Sequence, residues 1–208
     1  ILARAKLDNA DFTGTNFEQA NVGAVSAKGG NFAECLMSSA KLSKGNFSGA
    51  NFYKAQLDDV ETLEVILNGA SFIEANMADF MFLKVEINGS NFSAADLSRA
   101  NFMQSKLGQC DFTDANLKNS IWAETGLTQC VFNGANMMSA CFAATEPENS
   151  KLEQISFVGA CLDKANFQGI DKMPSILLLI VLFMLIEWMG REHSFAIEKM
   201  NARMNRWM

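Results

Sequence analysis

The chain has 208 residues, of which 49% are hydrophobic, and a formal net charge of −6 with a single histidine. An acidic chain is poorly suited to nonspecific nucleic-acid binding. One histidine supports neither a multi-histidine metal site nor a nucleophile–base–acid set, and no glycine-rich phosphate loop or Cys-x-x-Cys pair occurs, so a noncatalytic protein is expected.

From Leu2 to Phe167, every fifth residue is large and apolar except Ala27, Thr62 and Pro147. The residue two places earlier is usually small, as at Ala10, Ala50, Ala70, Ala100 and Ala135. Between the two stands Asn or Asp in many copies, as in Ala10-Asp11-Phe12 and Ala115-Asn116-Leu117. A period of five matches neither an α-helix nor a plain strand. It requires a coil that repeats its turn geometry, hence a solenoid.

A period of twenty lies inside the first. Phe12, Phe32, Phe52, Phe72, Phe92, Phe112 and Phe132 form one column, which the spacing continues to Leu152. The next column ends Met137, Phe157, and a third ends Trp122, Phe142, Leu162. Four five-residue sides per turn account for this, with like residues stacked between turns. At roughly 4.8 Å per coil, about eight coils give a rod of roughly 40 Å. Stacked rings bury apolar area, and the Asn/Asp column is suited to hydrogen-bonding the turn backbone.

The repeat Ala-(Asp/Asn)-Leu/Phe-x-x resembles that of the pentapeptide-repeat family, over about residues 1–170. The resemblance implies an all-β solenoid, a right-handed quadrilateral β-helix with the large and small residues inward and the other three outward. Phe80 and Ile155 break the small-residue rule and are expected to mark bulges or widening. Ile1 and Leu2 already stand in frame without an initiator Met, which suggests a processed form or fragment. Residues 1–170 carry a charge of −7 and the remainder +1.

Five cysteines fall in the repeat. Cys110 and Cys130, twenty apart at the small inward position, should stack on adjacent coils. Cys141 and Cys161, twenty apart at the Asn/Asp position, should stack near the surface, within reach of a disulfide. The alternative is that each cysteine simply replaces a small residue of its column.

Residues 171–208 leave the frame. Pro174 opens the run from Ser175 to Ile186, apolar on every side, followed by Glu187, Trp188 and Gly190. Pro at the start and Gly at the end punctuate a helix. All-round apolarity predicts a membrane anchor, with Pro174, Ile180, Leu185 and Trp188 along it; a helix capping the solenoid is the alternative. Residues 195–204 read as a basic amphipathic helix on a membrane surface. The excess of positive charge places this end in the cytoplasm or stroma and the repeat on the periplasmic or lumenal side.

His193 is an interfacial polar residue or, alternatively, an axial ligand of a pigment or haem. Glu198-Lys199-Met200-Asn201-Ala202-Arg203 resembles the Glu-x-x-Asn-x-Arg core of the chlorophyll-binding light-harvesting family, although Ala202 replaces its usual Gly. That resemblance implies chlorophyll as a cofactor, with Glu198 carrying its magnesium. The alternative is an ordinary solvated helix.

Together these features predict a noncatalytic, membrane-anchored scaffold or accessory subunit. Its partners would be protein subunits of a membrane complex, such as a photosynthetic thylakoid complex, together with membrane lipid and no nucleic acid. The alternative, from the pentapeptide-repeat family, is a soluble acidic mimic of DNA that binds a type II topoisomerase. Glu34, Glu74 and Asp114 share a face, but Lys54 and Ala94 interrupt them.

Overall fold

The computed structural model divides into two units, residues 1–172 and 173–208. It describes residues 2–143 and 152–170. Pro174, Ile180, Leu185, Trp188, His193 and Glu198 therefore lie outside the described residues. Among the described residues no helix is long and apolar enough to cross a membrane.

The described chain is a parallel β-solenoid with four sides per coil. Its ladders run Lys6↔Ser26, Asp11↔Asn31, Asn16↔Leu36 and Asn21↔Lys41, each bridging residues twenty apart. Most sides contribute a single bridge and a turn. Longer strands form at β1 (Glu61–Leu63) and β2 (Met81–Leu83), which pair together. A second sheet joins β3 (Glu86–Asn88), β4 (Lys106–Gly108), β5 (Gly126–Thr128) and β6 (Leu152–Glu153) in that order, all parallel.

The repeat follows from where each backbone donor goes. Three N–H groups per side reach neighbouring coils, as Phe12 donates to Asn31 O at 2.7 Å, Gly14 to Ala33 O at 2.9 Å and Asn31 to Ala10 O at 2.9 Å. On most sides a fourth closes the turn, as Ala10 donates to Leu7 O at 3.1 Å, whereas Val85 N–H, after strand β2, donates to Ser105 Oγ at 3.1 Å. The fifth points away from every ladder. Where Asn or Asp precedes the central apolar residue, its side chain accepts that bond: Ser93 N donates to Asn91 Oδ1 at 2.8 Å and Thr113 N to Asp111 Oδ1 at 2.9 Å. The Asn/Asp column thus satisfies the one N–H that the coil leaves over.

Each turn has its third residue in the left-handed region, as in a type II turn. This holds at Gly49 (φ 67), but also at Lys54 (φ 55) and Ala94 (φ 56). Bulkier side chains stand at this position in most turns.

The core has two aromatic columns. On the first side Phe52, Phe72 and Phe92 stack at 4.9 Å between successive centroids, their planes nearly parallel. On the third side Phe82, Phe102 and Trp122 stack at 4.4 and 3.9 Å. The columns meet edge to face, with Phe102 and Phe112 at 87°. Inward residues from Phe32 to Phe132 in the first column are fully buried, whereas Phe12 in the first coil is partly exposed. Phe80 is accommodated in the core, its ring 4.3 Å from that of Phe82, beside the coil in which Thr62 supplies a smaller centre. Ile155 is likewise buried.

The last coil corrects the expected register. Val131 pairs with Ser156, Asn136 with Cys161 and Cys141 with Asn166, each twenty-five residues apart. Phe132 stacks on Phe157 at 5.2 Å, and Phe142 on Phe167 at 4.7 Å. Leu152 leaves the phenylalanine column and pairs with Leu127. An insertion of five residues, falling between Phe142 and Leu152, preserves the fivefold frame but moves every later residue one side round. Cys141 and Cys161 therefore lie in different columns and do not stack; both are free thiols.

Candidate protein-docking faces

Three of the four sides are largely polar outside. The third side differs. Its outward column twenty residues apart reads Leu63, Leu83, Met103, Ala123, Ala143. Beside it run Met81, Asn101, Ile121 and Cys141, bridged in succession. Leu63 is 42% and Met81 41% exposed, and Leu83, Met103 and Ile121 are partly exposed. Glu61 begins this second column in the first coil; within it Asn101 has its Oδ1 occupied by the Met103 N–H at 2.9 Å. The result is a flat apolar stripe over five coils, about 20 Å long at the usual coil spacing. Its methionines give it a deformable, polarisable surface. Ion pairs stand at its margins, with Arg99 Nη2 2.6 Å from Asp79 Oδ2 on one edge and Lys44 Nζ 3.9 Å from Glu64 Oε2 on the other.

The fourth side carries a groove of about 800 Å³ beside this stripe. Gly108 and Gly126 floor it, where the coils around them place Asn88, Thr128 and Lys106. Asn68, Glu86, Gln104, Glu124 and Glu153 complete its walls. Gln104 and Glu124 directly follow Met103 and Ala123, so the groove and the stripe share one corner of the rod.

Electrostatics elsewhere stay local. Hydrogen bonds from Thr13 and Asn31 hold the Asp11 carboxyl below its ordinary value of 3.8, and Ser26 and the Lys28 N–H do the same for Asp8. The Arg99 guanidinium lowers Asp79. Lys54 lies 3.4 Å from Glu74, so the acidic positions of the first side are interrupted by a cation as well as by Ala94. Among the described residues no cluster of three or more His, Cys, Asp or Glu side chains is arranged to hold a metal.

The phenylalanine column lies in the core and presents no binding surface. Cys110 and Cys130 occupy one inward column on adjacent coils, as expected, both buried. The hydrogen bond between the two sulfurs lowers the titration of Cys130, which accepts it when ionised, and raises that of Cys110, while burial raises both. Sequence reading missed the stripe and groove because it attended to inward positions. The signal was present in the outward columns at spacing twenty, where the two columns flanking the third side's centre carry no charge after Glu61, while its turn positions keep Glu64, Lys84 and Glu124.

No curated relative matches the chain. Among solved structures, it resembles HetL, a pentapeptide repeat protein involved in heterocyst differentiation regulation from the cyanobacterium Nostoc sp. strain PCC 7120. The identity is 17% and the TM-score 0.33, over 79% of this chain and 81% of HetL. A trypsin-treated form of QnrB1, a plasmid-mediated fluoroquinolone resistance protein, matches at 15% identity and TM-score 0.44, over 75% of this chain and 84% of its own. A pentapeptide repeat protein of the Arabidopsis thaliana thylakoid lumen matches at 23% identity and TM-score 0.25, over 56% and 63%. These likenesses carry no information about activity or partners. Two family models match the chain itself, "Pentapeptide repeat region" at residues 37–110 and "Pentapeptide repeats (8 copies)" at residues 1–22 and 110–145, together more than half of its length. With its five-residue frame and four-sided coil, the chain belongs to the pentapeptide-repeat family.

Proposed function

We propose that this protein is a noncatalytic scaffold whose rigid rod docks a protein partner through its third side, while the apolar run after Pro174 fixes it to a membrane complex. The observation that carries the docking is the stripe from Leu63 to Ala143. A stripe of exposed Leu, Met and Ile on an otherwise polar rod is costly to leave in water and marks an interaction surface. Solenoids serve such contacts through extended faces. The anchor rests on the all-round apolarity of residues 175–186, and the weak positive charge beyond it favours the repeat on the periplasmic or lumenal side.

The test is carbonate and detergent extraction of native membranes, then native-gel mass spectrometry. The wild-type chain should stay in the membrane until detergent releases it within a larger assembly. A Leu63→Glu/Met103→Glu variant, altered only at outward positions, should remain folded and membrane-bound but migrate outside that assembly. A wild-type chain that migrates alone overturns the scaffold reading; inhibition of gyrase supercoiling by such a lone chain would favour the DNA-mimic alternative.

A further inference from the structure

The groove on the fourth side adds a charge requirement to the apolar stripe. Among the described residues its walls hold three carboxylates, Glu86, Glu124 and Glu153, against one ammonium, Lys106, a net of −2. Lys106 Nζ lies 3.1 Å from Glu86 Oε1, so this cation already faces a carboxylate. Beside Ile87, Leu107 and the two glycines, the remaining walls are amides and hydroxyls, such as Asn68, Gln104 and Thr128, which accept hydrogen bonds as readily as they donate them. Across the shared corner the surface turns apolar within one residue, from Gln104 to Met103 and from Glu124 to Ala123. The repeat unit as a whole carries −7, so its wider field also favours a cationic approach.

Resting on the scaffold reading, we propose that this corner receives a basic amphipathic segment of the partner protein. The segment's apolar side lies on Leu83, Met103 and Ala123, and its Lys or Arg side chains reach into the groove towards Glu86, Glu124 and Glu153. Size agrees. Asn68, Asn88, Gly108, Thr128 and Glu153 line the groove on five successive coils, a span of about 19 Å. A helix of three to four turns, at about 5.4 Å per turn, covers that length. The glycines at 108 and 126 leave depth for long cationic side chains where Asn or Lys would fill it.

The test uses the full chain in zwitterionic nanodiscs, with empty discs as the blank. The probes are a fluorescent 14-residue model helix of Leu and Lys and its Leu and Glu counterpart, read by anisotropy. The Leu/Lys helix should bind about 10-fold or more tightly than the Leu/Glu helix, and more weakly as salt rises. A Glu86→Lys/Glu153→Lys variant, changed at two exposed positions, should reverse the preference, which a merely misfolded protein would not do. Equal binding of the two helices, or a preference unchanged by the charge reversal, overturns the proposal. If that happens while Leu63→Glu/Met103→Glu still releases the chain from its native assembly, the scaffold stands and only the basic segment is lost.

Discussion

Phe132 stacks on Phe157 with centroids 5.2 Å apart and planes 12° from parallel, although Leu152 is the residue twenty places on. The stacked partner lies twenty-five residues away because the chain takes ten residues, not five, from Phe142 to Leu152. A double-mutant cycle of Phe132→Leu and Phe157→Leu should give a coupling of about 0.5–1.5 kcal/mol in urea unfolding. The cycle of Phe132→Leu with Leu152→Ala should give a smaller one. A larger coupling to Leu152 would restore the uniform register.

The same shift governs the cysteines. Cys141 pairs with Asn166 and Cys161 with Asn136, so the two thiols occupy neighbouring sides instead of one column. Native alkylation without reductant should modify Cys141 and Cys161, which are partly exposed, and spare Cys35, Cys110 and Cys130, which are buried. Intact-mass and peptide analysis reads both results. A 141–161 disulfide in the untreated protein would contradict the register.

These two cases show where the sequence was legible. Inward residues are dictated by core volume, so Phe and Ala positions, the four sides and the Cys110–Cys130 column could be read from periodicity. The register after Phe142 could not, because an insertion of one whole side leaves the period of five intact. The pairing of Phe142 with Phe167, in place of Leu162, restores like with like and was the available clue. The left-handed turn residues were also hidden. Glycine marks them at Gly49 and Gly69, but Lys54, Glu74 and Arg99 adopt the same φ under tertiary constraint. The stripe and groove lie on outward positions, which folding leaves open to selection for binding.

Two glycines should respond to alanine for different reasons. At Gly49 (φ 67) an added β-carbon meets nothing within 4 Å, so only backbone strain is paid and the loss should be about 1 kcal/mol. At Gly45 the β-carbon would stand 2.5 Å from Phe47 Cε2 and 3.0 Å from the Leu42 carbonyl oxygen. Displacing a buried ring in a close-packed column should cost more, about 1–3 kcal/mol. Thermal unfolding of both variants tests the ranking, and a Gly45→Ala protein no less stable than Gly49→Ala would refute it.

The Asn side chains that accept the leftover N–H should matter beyond their exposure. Asn91 Oδ1 accepts from both the Ser93 N–H at 2.8 Å and the Ser93 hydroxyl at 2.6 Å. Asn91→Ala should destabilise by about 1 kcal/mol, the range for losing the Ser93 N–H bond, because the part-exposed hydroxyl can turn to water. Asn91→Asp should be tolerated, because Asp111 performs the same task on the next coil, accepting from Thr113 N–H and hydroxyl. Chemical denaturation of the pair separates an acceptor role from a packing role.

Acid should weaken the rod through three carboxylates. Asp8, Asp11 and Asp79 are each held below the ordinary value of 3.8 in the folded chain, the first two by hydrogen bonds and Asp79 by its bond and charge contact with Arg99. A group whose pKa is lower when folded binds fewer protons than in the unfolded chain across that interval, so stability rises with pH there. Their contribution is complete above the unfolded value and disappears as pH falls from about 3.8 through the lowered folded values. The urea midpoint should therefore drop between pH 5 and pH 2. Asp79→Asn and Asp11→Asn should each start lower at pH 5 and fall less on acidification. If both variants track the wild type at every pH, these contacts contribute nothing to the acid sensitivity of the rod.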